Sequence, residues 1–347
     1  MARPIDFNFA ATCVGSDPRL DVAGVCRTIP DILREVPFWP QFVRLDPRED
    51  MILQFSEGIP CLRPADAGSG VVADTGDIEK ELTAFYERFL SEDLDHFAMS
   101  RDRARGLFEI LEIMKGSRSA KIPYIKGQTV GPITFAESVH TRDGRSILHI
   151  PELLDTVVKG LAAKLLWQDQ LLGTTGKQTI LFIDEPVLSG IGSAFSSIDR
   201  QGVVRALREI MGFIRERSNA LIGIHCCGNT DWPMILETGP DIINFDAFNY
   251  MDQFLLYPRE LTAFLKNGGT IAWGIVPTED FSPGLDPSRL QEKMREGLDE
   301  ICSWGLDPQE VRRRSMLTPA CGMGTMTPEE AGEGLHLLAL MQEKMRV

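Results

Sequence analysis

The feature that most constrains this chain is an alternation. Short apolar, β-branched runs recur along its 347 residues, with longer amphipathic stretches between them. The runs at 10–15, 51–55, 121–126, 179–183, 220–224, 241–245, 270–274 and 315–318 read as strands. The stretches at 78–114, 152–172, 202–217, 259–267, 288–304 and 328–345 read as helices; in the second, Leu154, Val157, Val158, Leu161 and Leu165 keep the three-to-four spacing of one buried face. Parallel strands need crossover connections, and a helix between successive strands supplies them. Eight such units close a (β/α)8 TIM barrel, expected here as a single domain over residues 1–347. An open doubly wound sheet is the alternative.

Local chemistry agrees with this division. Asn267-Gly268-Gly269 closes one helix before the next strand, while Asp231 and Thr327 stand at N-cap positions, the latter followed by Pro328. The glycine turn Gly68-Ser69-Gly70-Val71-Val72-Ala73 follows Arg63-Pro64-Ala65-Asp66, which does not read as a strand. It lacks the strand–turn–helix setting of a dinucleotide fingerprint and reads as a loop.

A net charge of -14 repels nucleic acid and anionic membranes as partners. The N-terminal residues lack the apolar core of a signal peptide, and no stretch approaches the roughly 20 apolar residues of a membrane helix. A cytoplasmic location is expected. Seven cysteines, odd in number and irregularly spaced, leave reduced thiols rather than a disulfide framework.

The reactive residues stand directly after strands: Gly15-Ser16-Asp17, Asp184-Glu185-Pro186, His225-Cys226-Cys227, Asp246 and Cys321. A barrel gathers such positions at one end. Alternation places His225 and Cys227 on one face and Cys226 on the other. An imidazole and a thiolate side by side, joined by the remote Cys321, form a zinc-type donor set. Asp246 ends the neighbouring strand and reads equally as a fourth ligand or as an N-cap. In Asp184-Glu185-Pro186 the proline holds Glu185 out of the helical region, so one acid points to the mouth and one aside; Asp184 is the site candidate. Glu57, after 51–55, is a further acidic candidate. His96, His140, His149 and His336 have no metal-like partners nearby in sequence.

At these residues the chain resembles the catalytic, C-terminal barrel of cobalamin-independent methionine synthase, within the superfamily that also holds uroporphyrinogen decarboxylase. Ala11-Thr12-Cys13-Val14-Gly15-Ser16 is similar to that family's opening strand, Ile183-Asp184-Glu185-Pro186 to its Asp-Glu-Pro strand end, His225-Cys226-Cys227 to its His-x-Cys zinc ligands, and Pro319-Ala320-Cys321-Gly322 to its last zinc cysteine. The resemblance implies zinc held by His225, Cys227 and Cys321, with Asp246 where the family places a glutamate. It further implies homocysteine as the methyl acceptor, with Asp184 at its amino group, Ser16 at its other end and Glu57 as a second acid for the ammonium.

Two departures bear on the donor. The chain has no room for the family's second, folate-holding barrel, and Gly322-Met323-Gly324-Thr325-Met326 lacks the basic residues that usually follow the last cysteine. Methylcobalamin or a corrinoid protein is therefore the expected donor or partner, and methyl-folate the alternative. A uroporphyrinogen decarboxylase-like enzyme and a non-catalytic corrinoid-binding protein are the competing readings.

Overall fold

The computed structural model describes residues 6–65, 70–190 and 198–347. Its main sheet is made of β1 (Ala10–Ala11), β4 (Tyr124–Val130), β6 (Gln178–Asp184), β7 (Leu221–Cys226), β8 (Ile242–Phe245), β9 (Thr270–Val276) and β10 (Ser315–Pro319). A small second sheet is made of β2 (Leu62–Pro64), β3 (Val71–Ala73) and β5 (His140–Thr141). In the main sheet the order is β1-β10-β9-β8-β7-β6-β4, and every neighbouring pair is parallel. First and last strands in sequence are thus neighbours in space, as in a sheet that curls on itself.

The architecture is a curled, seven-stranded parallel sheet flanked by helices, which is the barrel-like form of the expected α/β fold. The eighth position differs from expectation. Residues Met51–Phe55 form a helix, not a strand: Asp50 caps it by accepting the Ile52 N–H, directly after the 3-10 turn Pro47–Glu49. Four apolar residues and one glutamine suit either element, and the cap decides. The gap between β1 and β4 is instead spanned by irregular chain. There Glu35 and Pro37 carbonyls accept from Tyr124 and Lys126 N–H, while Gln41 exchanges hydrogen bonds with Gly15 and Asp17.

The helices carry the apolar stripes that cover this sheet. Pro151–Gly173 lays Leu153, Val157, Leu161 and Leu165 into the core, and Arg200–Arg215 adds Val203, Leu207 and Ile210. The long expected helix 78–114 is two, Ile78–Leu90 and Arg105–Lys115, with the 3-10 turn Leu94–Phe97 between them. Thr327 caps Pro328–Arg346 through a full capping box with Glu330, and Asp231 caps Trp232–Thr238. The glycine turn divides: Gly68 and Ser69 lie outside the described residues, whereas Val71–Ala73 is a strand paired to Leu62–Pro64, so neither side of it is plain loop. No helix among the described residues is long and apolar enough to cross a membrane.

Candidate metal centre

At the carboxyl ends of β7 and β10, one imidazole nitrogen of His225 and the sulfurs of Cys227 and Cys321 lie within 4.8 Å of one another. The sheet makes this happen. β7 is apolar up to Ile224 and fixes His225 inside, while Cys226 is buried in the core on the opposite face. Cys321 arrives from the loop after β10, and its neighbours anchor it. The Ala320 N–H is accepted by the Val276 carbonyl, Met323 N–H by the Ser16 carbonyl at 3.1 Å, and Gly324 N–H by the Ser16 hydroxyl at 3.1 Å. Ser16 therefore stands at the site as expected, and also latches the loop that carries Cys321.

The three donors open on a cavity of about 380 Å³ whose walls include Ser16, Asp184, His225, Cys227 and Cys321. Its apolar lining comes from Val14, Val43, Met51, Phe55 and Val130. Among the described residues no lysine or arginine lines it, whereas Asp50, Asp184 and Glu279 do. A larger hollow of about 460 Å³ lies between Trp232–Thr238 and Pro258–Lys266, but no thiol or imidazole lines it.

Asp184 and Glu185 divide as strand alternation requires. Asp184 is 7% exposed and its Oδ1 has no hydrogen-bond partner. Burial pushes its pKa up, against the opposing pull of Lys126 and His225. Glu185 points the other way, into the start of the helix Pro132–Ser138. Its carboxylate accepts from Ile133 N–H at 2.9 Å, Thr134 N–H at 2.8 Å and the Thr134 hydroxyl at 2.6 Å. Burial raises its pKa to about 7 despite those bonds.

Two sequence candidates are engaged elsewhere. Asp246 caps Ala247–Phe254, its two oxygens accepting from the Asn249 N–H and side-chain amide at 2.9 and 2.7 Å, and it is not part of the close cluster. Of the two readings open for it, the structure shows the cap. Glu57 follows a helix rather than a strand; it accepts the Ser100 N–H at 2.8 Å, pairs with Arg103 at 3.3 Å and does not line the cavity.

The donor set fits a zinc-type ion. His225 is 2% exposed, and its Nε2 has no hydrogen-bond partner. A buried polar atom left this way is costly unless something fills the place. Burial would lower the imidazole pKa, but the nearby Cys321 sulfur and Asp184 carboxylate outweigh it and hold it above the usual value. Cys321 is raised, first by the Cys227 thiol beside it and then by burial. Two thiols and a ring nitrogen so close are repulsive as anions and gain from a cation between them.

Two residues went unnoticed in the sequence. Glu279, after β9, lines the cavity, and Asn244 holds His225 from behind. An asparagine inside an apolar strand was the available signal for the second.

No family model matches the sequence, and comparison with curated proteins gives no match. Among solved structures, the chain is similar to a putative vitamin-B12-independent methionine synthase from Listeria monocytogenes. That likeness covers 97% of each chain, with a TM-score of 0.59 and 12% identity. A B12-independent methionine synthase from Shewanella sp. W3-18-1, in complex with selenomethionine, aligns over 68% of this chain and 66% of its own, with a TM-score of 0.47 and 17% identity. The first likeness shows a shared fold, and the second carries no argument. This chain shares its fold with the Listeria monocytogenes protein.

Proposed function

We propose that this protein is a zinc-dependent methyltransferase that passes a methyl group to a small thiol, with homocysteine the favoured acceptor. The observation that carries the reading is the convergence of His225, Cys227 and Cys321 on a cavity, with the His225 Nε2 buried and unpaired. These three residues would hold the ion. Bound there, zinc supplies a thiol deprotonated at neutral pH, where a free thiol near pKa 8.5 is a few per cent thiolate.

The remaining work falls to the protein's own groups. Asp184 lines the cavity with an unpaired oxygen, suited to accept the ammonium of an amino-acid thiol and so aim its sulfur. The Ser16 hydroxyl, already an acceptor from Gly324, keeps its own proton to donate to the substrate's other end. Val14, Val43 and Phe55 thin the water around the reacting sulfur. Asp246 and Glu57, occupied by Asn249 and Arg103, are secondary: the first is proposed as a fourth ligand only after giving up its cap, the second has no assigned role.

The donor is a separate question. A cavity with no lysine or arginine in its lining among the described residues offers no partner from these to the acidic tail of a polyglutamyl folate. Likeness to a protein described as vitamin-B12 independent gives methylcobalamin no support either, so that expectation stays a reading of the sequence. The deciding experiment measures zinc content of the purified protein, then methyl transfer to homocysteine from methylcobalamin and from methyl-folate in parallel. Zinc near one per chain with methionine formed from either donor supports the reading. A protein that takes up no zinc overturns it.

A further inference from the structure

Behind the cavity a row of backbone pairs runs across the sheet: Asp184 on β6 opposite His225 on β7, His225 opposite Asn244 on β8, and Asn244 opposite Ala272 on β9. Asn244 is 1% exposed and sits in the middle of β8 between Ile243 and Phe245, where apolar side chains are the rule. All of its amide atoms are committed. Its Nδ2 donates to the Ala272 carbonyl at 2.8 Å and to the Thr318 hydroxyl at 2.7 Å, and its Oδ1 lies 2.7 Å from His225 Nδ1.

The direction of this amide follows from its partners. A backbone carbonyl can only accept, so the atom facing Ala272 must be the NH2 group. Turning the amide over would set two oxygens against each other at Ala272 and leave both without a proton between them. The oxygen therefore faces His225, and the ring nitrogen there must carry the proton.

We infer that Asn244 is the positioning residue that fixes His225 as the Nδ1–H tautomer, so that the Nε2 lone pair is always the one presented to Cys227 and Cys321. A free neutral imidazole exchanges its proton between two nitrogens, and only one of the two forms can ligate through Nε2. Here three strands settle the choice before any ligand arrives: Asn244 from β8, anchored by Ala272 of β9 and Thr318 of β10. The unpaired Nε2 is the counterpart of the paired Nδ1. Metal-bound histidines are commonly braced through their second nitrogen by a carboxylate, carbonyl or water; a side-chain amide held by two further bonds does the same without adding charge.

The inference rests on His225 being a ligand in the proposed function, and its test separates the two. Nitrogen-15 shifts of the His225 ring, recorded on metal-free protein at a pH where the ring is neutral, should show a protonated Nδ1 and a bare Nε2. A ring protonated at Nε2 instead overturns the inference, with no variant required. In Asn244→Ala the ring should lose that single pattern, and zinc affinity should fall roughly 10- to 100-fold. Thr318→Val removes one anchor of the amide but leaves the Ala272 bond, so the tautomer should persist with zinc affinity lowered less than threefold. An Asn244→Ala protein that keeps both the ring pattern and full zinc affinity refutes the role. Should Asn244→Ala not fold, Asn244→Ser takes its place under the same two readouts. If wild-type protein shows the Nδ1–H ring yet binds no zinc, the proposed function fails while the tautomer assignment stands.

Discussion

Glu185 offers the sharpest quantitative test of how the strand end at β6 is built. Replacing it with alanine strips the helix Pro132–Ser138 of a buried carboxylate that accepts three hydrogen bonds at 2.6–2.9 Å. Truncation leaves the Ile133 and Thr134 N–H groups and the Thr134 hydroxyl buried without that acceptor, at about 1–2 kcal/mol each, so below pH 4.5 the variant should lose roughly 3–6 kcal/mol. Ionising the buried carboxyl works against the fold. The pKa rises from 4.5 to about 7, and at about 1.4 kcal/mol for each pKa unit the ionised form gives back about 3 kcal/mol. Above pH 7 the cost of Glu185→Ala should therefore be about 3 kcal/mol smaller than below pH 4.5.

The sign of the pH effect is set by the same numbers. An acid whose folded pKa is raised stabilises fully below the unfolded value of 4.5, and that part is lost as pH climbs through about 7. Urea denaturation of both proteins at pH 4.5, 6 and 8 should show the gap narrowing by about 3 kcal/mol, wild type losing stability relative to the variant. Because Glu185 faces the helix and not the cavity, zinc binding by folded Glu185→Ala should stay near wild type. A gap below about 1 kcal/mol at pH 4.5, or one that does not change with pH, refutes the account of this carboxylate as a buried helix clamp.

Three further outcomes are expected. Cys321→Ser should leave the fold intact by circular dichroism while zinc content, measured by mass spectrometry, drops far below one per chain, since an alcohol replaces one of three close donors. Asp184→Asn should keep its zinc but raise KM for homocysteine by about 10- to 100-fold, the value of one charge-assisted bond to an ammonium, as read by steady-state transfer assays. Gly106→Ala should lower the melting temperature and cost about 1–3 kcal/mol, because its Cβ would lie 1.9 Å from the Pro40 carbonyl oxygen, where helix Arg105–Lys115 meets the irregular segment beside β4.

Much of the sheet was legible because its strands are buried on both sides and announce themselves as apolar runs. β6, β7, β9 and β10 fall within two residues of where the sequence places them. The segment Met51–Phe55 was misread because so short a run, four apolar residues and Gln54, has no period of its own, and Asp50 settled the matter from outside it. β2 and β3 were missed since three-residue strands carry almost no pattern, and β2, at the edge of its sheet, contains Arg63 and Pro64. At the site, alternation rightly separated Asp184 from Glu185 and His225 from Cys226. It was silent about Asp246, whose position satisfies a cap and a ligand alike until Asn249 is seen to occupy both oxygens. Glu57 shows the cost of a wrong element: once its supposed strand became a helix, the acid turned to Arg103.

The pairing of β1 with β10 has a consequence for biosynthesis. As the ribosome delivers the protein, β1 emerges early and must wait, one edge bare, until residues Ser315–Pro319 follow. The latch between Ser16 and Gly324 closes later still, and it is this closure that brings Cys321 to its partners. A nascent or truncated polypeptide can thus assemble most of its parallel ladder before His225, Cys227 and Cys321 come together, so the proposed metal site forms last.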